Sequence, residues 1–350
     1  MGQFHEPKGE NSMRKILLLL ILLGSCGIGW DVAWGQTTAK RFSWVQVKES
    51  NPWVPRDSSG ELVYRDKMWL IGGWPGSMRD VWSSADGANW KQATPEAPWI
   101  HCDLPTSLVY QDKMWMIGGW SGGRKPTASA SNKVWCSTDG AKWECTAPDA
   151  PWAARIGAGG VVFDGKMWLL GGVQKYFGGE KYLLNDIWTS TDGASWRQVT
   201  AHAPWAPRAY HAALVFDGKI WVYGGGNYWP KYLGYNDVWN SSDGIHWTKV
   251  TDHAPWSARI WFSSVVYRNR IWLLGGWSNN PSRNWNDVWY SSDGADWKEL
   301  PTDKVWSKRH EQSAYVFKDK IWIVAGNPWP ITNDVWQLEI PESWFERQKR

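Results

Sequence analysis

Cysteine is scarce in this chain: there are four among 350 residues. A disulfide framework is therefore not what organises it, and no Cys/His set has zinc-site spacing. Long apolar runs are also missing. The one candidate, residues 16–23, is too short to cross a bilayer as a permanent helix. Charge of one sign is lacking too: 38 Lys and Arg against 34 Asp and Glu leave a net charge of +4. That is too little, and too evenly spread, for a nucleic-acid or polybasic membrane surface. There is no phosphate loop. Gly119-Trp120-Ser121-Gly122-Gly123 fits G-x-S-x-G, but it follows an apolar strand in a loop, without the strand-to-helix elbow that exposes a nucleophile. What abounds is tryptophan, at 34 residues. An indole buries a large area and needs a partner for its N–H, so this enrichment requires a repeated structural cause or a binding surface.

The cause is a repeat. KMWLIGG, KMWMIGG, KMWLLGG, KIWVYGG, RIWLLGG and KIWIVAG centre on Trp69, Trp115, Trp168, Trp221, Trp272 and Trp322, at spacings of 46, 53, 53, 51 and 50. Each is followed by a strand with a second Trp (Trp82, Trp135, Trp188, Trp239, Trp289, Trp336), then an Asp-Gly turn and a third. A fourth precedes each unit: Trp53, Trp99, Trp152, Trp205, Trp256 and Trp306. The last unit stops at DVWQLEI, and the piece it lacks lies at the other end of the chain. FSWVQV around Trp44 matches NWKQAT, SWRQVT and HWTKVT. Each unit thus reads as four antiparallel strands, a to d, with Asp-Gly forming the tight c–d hairpin. The N-terminal strand is expected to complete the sixth unit and close a ring, removing the open sheet edges.

Gly-Gly after an apolar strand, an aromatic in strand c and a Trp in strand d, at about 50 residues, resembles the kelch repeat. The resemblance covers residues 41–340 and implies an all-β, six-bladed kelch-type β-propeller with four-stranded blades, within the superfamily that includes galactose oxidase. The S-x-D-G-x-x-W turn resembles the Asp-box of sialidase-type propellers, shortened by one residue, and implies a structural turn only.

Residues 1–35 read as an export signal and linker, with Arg14 and Lys15 ahead of the apolar run and Met13 as the more natural start. Leu23-Gly24-Ser25-Cys26 resembles the lipobox of bacterial lipoproteins, which would make Cys26 a lipidation site. Cleavage after Ala33-Trp34-Gly35 is the alternative. The expected location is accordingly periplasmic, anchored at the outer membrane, or secreted. Residues 341–350 are a C-terminal tail. Cys136 and Cys145 flank one hairpin and either pair or stay free.

A meander places the d–a and b–c connections on one face, the top. The b–c loops count 6, 13, 13, 11, 10 and 7 residues, so blades 2 to 5 carry the longer lips of a cup. Variable loops on a rigid scaffold are where function concentrates. Seven tryptophans outside the repeat slots fall there: Trp74, Trp120, Trp229, Trp261, Trp277, Trp285 and Trp329, of which about half are expected to be exposed. An Arg stands thirteen residues before the strand-b Trp in five blades (Arg56, Arg155, Arg208, Arg259, Arg309), with Cys102 in its place in blade 2. This is either a basic ring for a carboxylate or phosphate, as kelch propellers use, or an inter-blade staple stacked on Trp. Asp186, Asp237, Asp287 and Asp334, each at the start of a strand c, read as turn-fixing residues. Ionisable symmetry breakers cluster near the axis: His101, Cys102, Asp103, Tyr210, His211, His310 and Glu311. Tyr210, His211, His310 and Glu311 are the catalytic candidates, as general acids or bases.

The function expected is a binding propeller that recognises a carbohydrate or a protein segment through the Trp-rich cup. Two alternatives stand beside it. One is a sugar-modifying enzyme, since six-bladed kelch proteins of the periplasm include sialic acid mutarotases. The other is a structural interaction module. No metal or cofactor is called for, and a monomer is expected.

Overall fold

The computed structural model describes residues 42–76 and 78–347. The expected export signal with Cys26 lies outside the described residues, as do the last three residues of the C-terminal tail.

The alternation of buried and exposed positions along short β-branched and aromatic runs forms strands, and six four-stranded antiparallel sheets result. Blade 1 is Gly60–Tyr64, Lys67–Ile71, Val81–Ser84 and Trp90–Thr94. Blades 2 to 5 repeat that order. Blade 6 takes strands a to c from Ser313–Phe317, Lys320–Val324 and Val335–Glu339, and strand d from Ser43–Lys48. The closing register pairs Trp44 with Leu338 and Gln46 with Trp336. The fold is therefore a six-bladed β-propeller whose ring is closed by the N-terminal strand.

The repeat tryptophans hold neighbouring layers together. Each pre-blade indole meets a strand-d indole edge to face: Trp53 with Trp90, Trp99 with Trp143, Trp152 with Trp196, Trp205 with Trp247 and Trp256 with Trp297, at centroid distances of 5.8–6.1 Å. Trp44 and Trp306 make the sixth pair at 5.9 Å. The N-terminal strand thus supplies the missing contact as well as the missing hydrogen bonds. The strand-b indoles donate to the carbonyl five residues earlier, as Trp69 does to Tyr64 and Trp221 to Phe216. In the Asp-Gly turns the glycine adopts a left-handed conformation and lies flat on the strand-b Trp of the preceding blade. A Cβ on Gly244 (φ 73°) would overlap the Trp168 ring.

The five repeat arginines are staples within each blade. Arg208 donates to both carboxylate oxygens of Asp237 at 2.7 and 2.8 Å, to Gly224 O and to Ala206 O. Arg56–Asp80, Arg155–Asp186, Arg259–Asp287 and Arg309–Asp334 repeat the arrangement. The same aspartates accept the strand-c indole N–H, as Asp237 does from Trp239. Blade 2 has lost both members of the pair: Cys102 replaces the arginine and Lys133 the aspartate.

Residues Glu342–Arg347 form a helix, and Trp344 packs on Trp272 and Tyr290. Cys136 lies opposite Glu144, and Cys145 opposite Trp135. The two thiols therefore point to different faces of the hairpin, and both are free.

Candidate functional site

The b–c connections of blades 2 and 4 form small hairpins, Trp120–Ser121 with Ser129–Ala130 and Gly226–Asn227 with Leu233–Gly234. In blades 3 and 5 strands b and c themselves run on upward, to Val173 and to Asn279. These raise a wall around the top of the axis and enclose a cavity of about 720 Å³.

The floor of the cup comes from the two residues after each arginine position. The first residue of each pair bridges to the residue following the Gly-Gly position: Asp57 to Trp74, Asp103 to Trp120, Ile156 to Val173, Ala209 to Gly226, Ile260 to Trp277 and His310 to Asn327. The second turns toward the axis in a left-handed conformation. These residues are Ser58, Leu104, Gly157, Tyr210, Trp261 and Glu311, with φ between 50° and 59°. Their backbones are linked around the axis in five of six steps: Ser58 N–H donates to Glu311 O, Leu104 to Ser58, Gly157 to Leu104, Tyr210 to Gly157 and Glu311 to Trp261. Six equivalent positions hold six different residue types, and at the five that are not glycine this geometry is costly. A rigid ring thus presents a varied set of side chains.

The ring is polarised. Blades 6, 1 and 2 contribute His310, Glu311, Asp57, Ser58 and Asp103, whereas Ile156, Ala209 and Ile260 hold the matching first positions in blades 3 to 5. On the polar arc, Asn284 Nδ2 donates to Asn327 O, so its Oδ1 accepts from His310 Nδ1 at 2.6 Å. Asn327 Nδ2 donates to Asp57 Oδ2 and the Ser58 hydroxyl to Asp57 Oδ1. This network assigns the His310 proton to Nδ1, leaving Nε2 facing Glu311 Oε2 at 3.6 Å. Burial drives His310 down to about 3. Burial pushes Asp57 up to about 7 against the hydrogen bonds of Asn327 and Ser58, and Asp103 to about 8 with help from the charge of Asp57. Glu311 is raised well above the carboxylate range by burial and by both aspartates. Asp103 Oδ1 and Glu311 Oε1 are buried without a hydrogen-bond partner.

The opposite arc is aromatic. Trp261 is its hub, stacked on His310 (5.1 Å, 23°) and on Tyr176 (6.3 Å, 23°), with Tyr228 at 4.7 Å and Trp277 at 5.8 Å. Trp120 extends the wall beside Tyr176. Arg124, over the Phe177 ring, is the cationic side chain of Lys or Arg type lining the cavity among the described residues.

Five of the seven extra tryptophans line this cup: Trp74, Trp120, Trp261, Trp277 and Trp329. Trp229 does not, and Trp285 is held between Arg259 and Arg283 with its N–H on Ser278. Exposure is lower than expected, since of the seven only Trp229 and Trp329 are exposed. Of the catalytic candidates, His310 and Glu311 line the cup. Tyr210 and His211 lie below it, around a smaller axial cavity of about 170 Å³. His101 is outside both and meets Ser129. The arginines cannot be a ligand clamp: Arg56, Arg155, Arg208, Arg259 and Arg309 are fully buried, and their N–H groups are taken up by aspartate and carbonyl oxygens. Asp57, Tyr176, Tyr228, Asn284 and Asn327 were not foreseen. Aligning the two residues after each arginine would have exposed the carboxylate arc, because Asp57 and Asp103 share one slot.

Fold and cavity together define the class: a six-bladed β-propeller with an open axial cup, a form able to bind ligands or proteins. No family model matches the chain. The dynein alpha chain of the flagellar outer arm of Chlamydomonas reinhardtii is 34% identical over an alignment of 111 residues that covers 29% of this chain. The chain spans only 2% of that protein's length. A solved structure described as "Structure of YjhT" superposes with a TM-score of 0.67 at 15% identity, over 83% of this chain and 96% of the other. That likeness concerns the fold. Among the described residues no helix is long and apolar enough to cross a membrane.

Proposed function

We propose that the protein is a recognition propeller of kelch type, working outside the cytoplasm, that takes a compact ligand into the axial cup. The ligand is a sugar residue, or a side chain presented by a protein segment. One observation carries this reading: an aromatic wall centred on Trp261 faces an arc of carboxyl groups with unpartnered oxygens across one cavity. A flat ring takes the apolar face of a sugar or an alkyl chain, and the polar arc fixes its orientation. The apolar run at 16–23 supports export, and Cys26 would anchor the chain if lipidated.

A mutarotase-like epimerase is the weaker reading. It would need a cationic clamp and a base active near neutral pH. The repeat arginines are committed to aspartates, which leaves Arg124 as the Lys- or Arg-type cation at the cup among the described residues, and with His310 and His211 driven down to about 3 by burial the base would have to be Asp57 or Asp103, raised to about 7 and 8.

A glycan-array and peptide-array screen of the full chain tests the proposal, with Trp277→Ala and Trp229→Ala beside it. Trp277 belongs to the wall and Trp229 does not. Binding that falls at least about 30-fold in Trp277→Ala and is unchanged in Trp229→Ala is expected, the size of an aromatic hot spot. Equal effects of the two variants, or turnover of a sugar by the wild type, would overturn it.

A further inference from the structure

We infer that the ligand of the cup carries a primary ammonium group, seated among Asp57, Asp103 and Glu311, with its carbon frame against Trp261, Tyr176 and Trp277. This rests on the binding role proposed for the cup and adds the charge and donor pattern of what it binds.

Three carboxyl groups from three adjacent blades, Asp57, Asp103 and Glu311, line one cavity together with Ser58, whose hydroxyl donates to Asp57 Oδ1. Asp103 and the Glu311 side chain are 7% and 6% exposed, and each lines the cavity with one oxygen that nothing satisfies. Carboxylates crowded together in an apolar surrounding repel one another, and a cation relieves both that repulsion and the cost of their burial. Among the described residues no cation of the chain is placed against these oxygens. The repeat arginines are paired with their own aspartates, Arg124 lies over Phe177, and His310 directs its lone pair at Glu311. In the empty cup burial keeps protons on these acids, and an ammonium ligand would take the place of those protons and supply the cation itself.

Its type follows from the same geometry. Unpartnered oxygens need N–H donors. A primary ammonium has three of them, whereas a quaternary ammonium has none and would leave the oxygens unsatisfied. The facing indole and phenol rings suit a cation or the polarised C–H groups beside it. An amino sugar and an alkylamine share the required chemistry.

The test is calorimetric titration of the full chain with a glucosamine oligomer, its fully N-acetylated counterpart, 1,5-diaminopentane and tetramethylammonium. The free amines should bind, and N-acetylation or quaternisation should weaken binding on the order of 10- to 100-fold, the worth of a charge-assisted hydrogen bond. Whichever amine binds more tightly identifies the frame as sugar or alkyl. Glu311→Gln, with its melting temperature followed as a check on folding, should lose the preference for the free amine. Asp103→Asn repeats the measurement should Glu311→Gln not fold. If the N-acetylated oligomer binds as tightly as the amine, the ammonium inference fails while the cup remains a binding site. If none of the four binds and the arrays are blank, the binding role itself fails.

Discussion

Blade 2 provides a natural double replacement, and it defines a sharp perturbation elsewhere in the ring. In blade 4, Arg208 is fully buried and holds both oxygens of Asp237. Replacing Arg208 by Cys leaves Asp237 with a half-buried charge and one indole N–H, and it frees the carbonyls of Gly224 and Ala206. Removing one partner of such a pair costs about 3–5 kcal/mol. Asp237→Lys alone puts a second cation beside Arg208 and should cost a similar amount. The double variant reproduces the Cys102 and Lys133 combination of blade 2, so its cost should fall short of the sum by about 2 kcal/mol or more. Urea unfolding of the four proteins, followed by tryptophan fluorescence, completes the cycle. Strict additivity would refute the view that arginine and aspartate act as one unit, and the paired loss in blade 2 would then need another cause.

Three further outcomes follow from the same physical picture. Asp57, Asp103 and Glu311 are favoured as neutral acids in the fold, so the unfolded chain releases protons that the native state keeps. Their contribution is whole below about pH 4 and is lost as pH rises toward the folded values. Asp103 alone weakens the empty protein on the order of 2 kcal/mol between pH 6.5 and 8.5. His211 and His310 act only below their ordinary pKa, where acid weakens the fold. Asp103→Asn should flatten the alkaline limb of stability against pH, and an unchanged slope would count against burial as the cause. Gly244→Ala should destabilise by about 2 kcal/mol or more, from the left-handed backbone and the overlap with Trp168; a melting temperature equal to wild type would contradict the packing described for the turn. Trp261→Ala should weaken any cup ligand at least about 30-fold, whereas Trp329→Ala, at the rim, should cost less than about fivefold in the same binding assay.

The sequence exposes the architecture well, because a repeated contact leaves a repeated residue. Trp44 is assigned to the last blade by sequence alone, since the sixth unit lacks a fourth strand and FSWVQV matches the strand-d motifs; its edge-to-face contact with Trp306 agrees. The site is less legible for a related reason. The arginines attract attention by their chemistry, but their repetition reflects a buried pair with aspartate. What differs between blades lies one and two residues further on. The left-handed turn that aims Ser58, Tyr210, Trp261 and Glu311 at the axis has no residue signature, since none of these types favours that backbone. Asp57 is hidden in the same way: a single aspartate beside Arg56 looks like surface charge until Asp103 and Glu311 are seen beside it on the same arc. Tyr176 and Tyr228 come from loops whose path the repeat does not determine.

The most direct test of the central claim is a crystal structure of the full chain with the ligand that the arrays or titrations select. Ligand density between Trp261 and the Asp57–Asp103–Glu311 arc is the predicted result. Density on the Asp-Gly face, or on the rim around Trp229 with the cup empty, would contradict it.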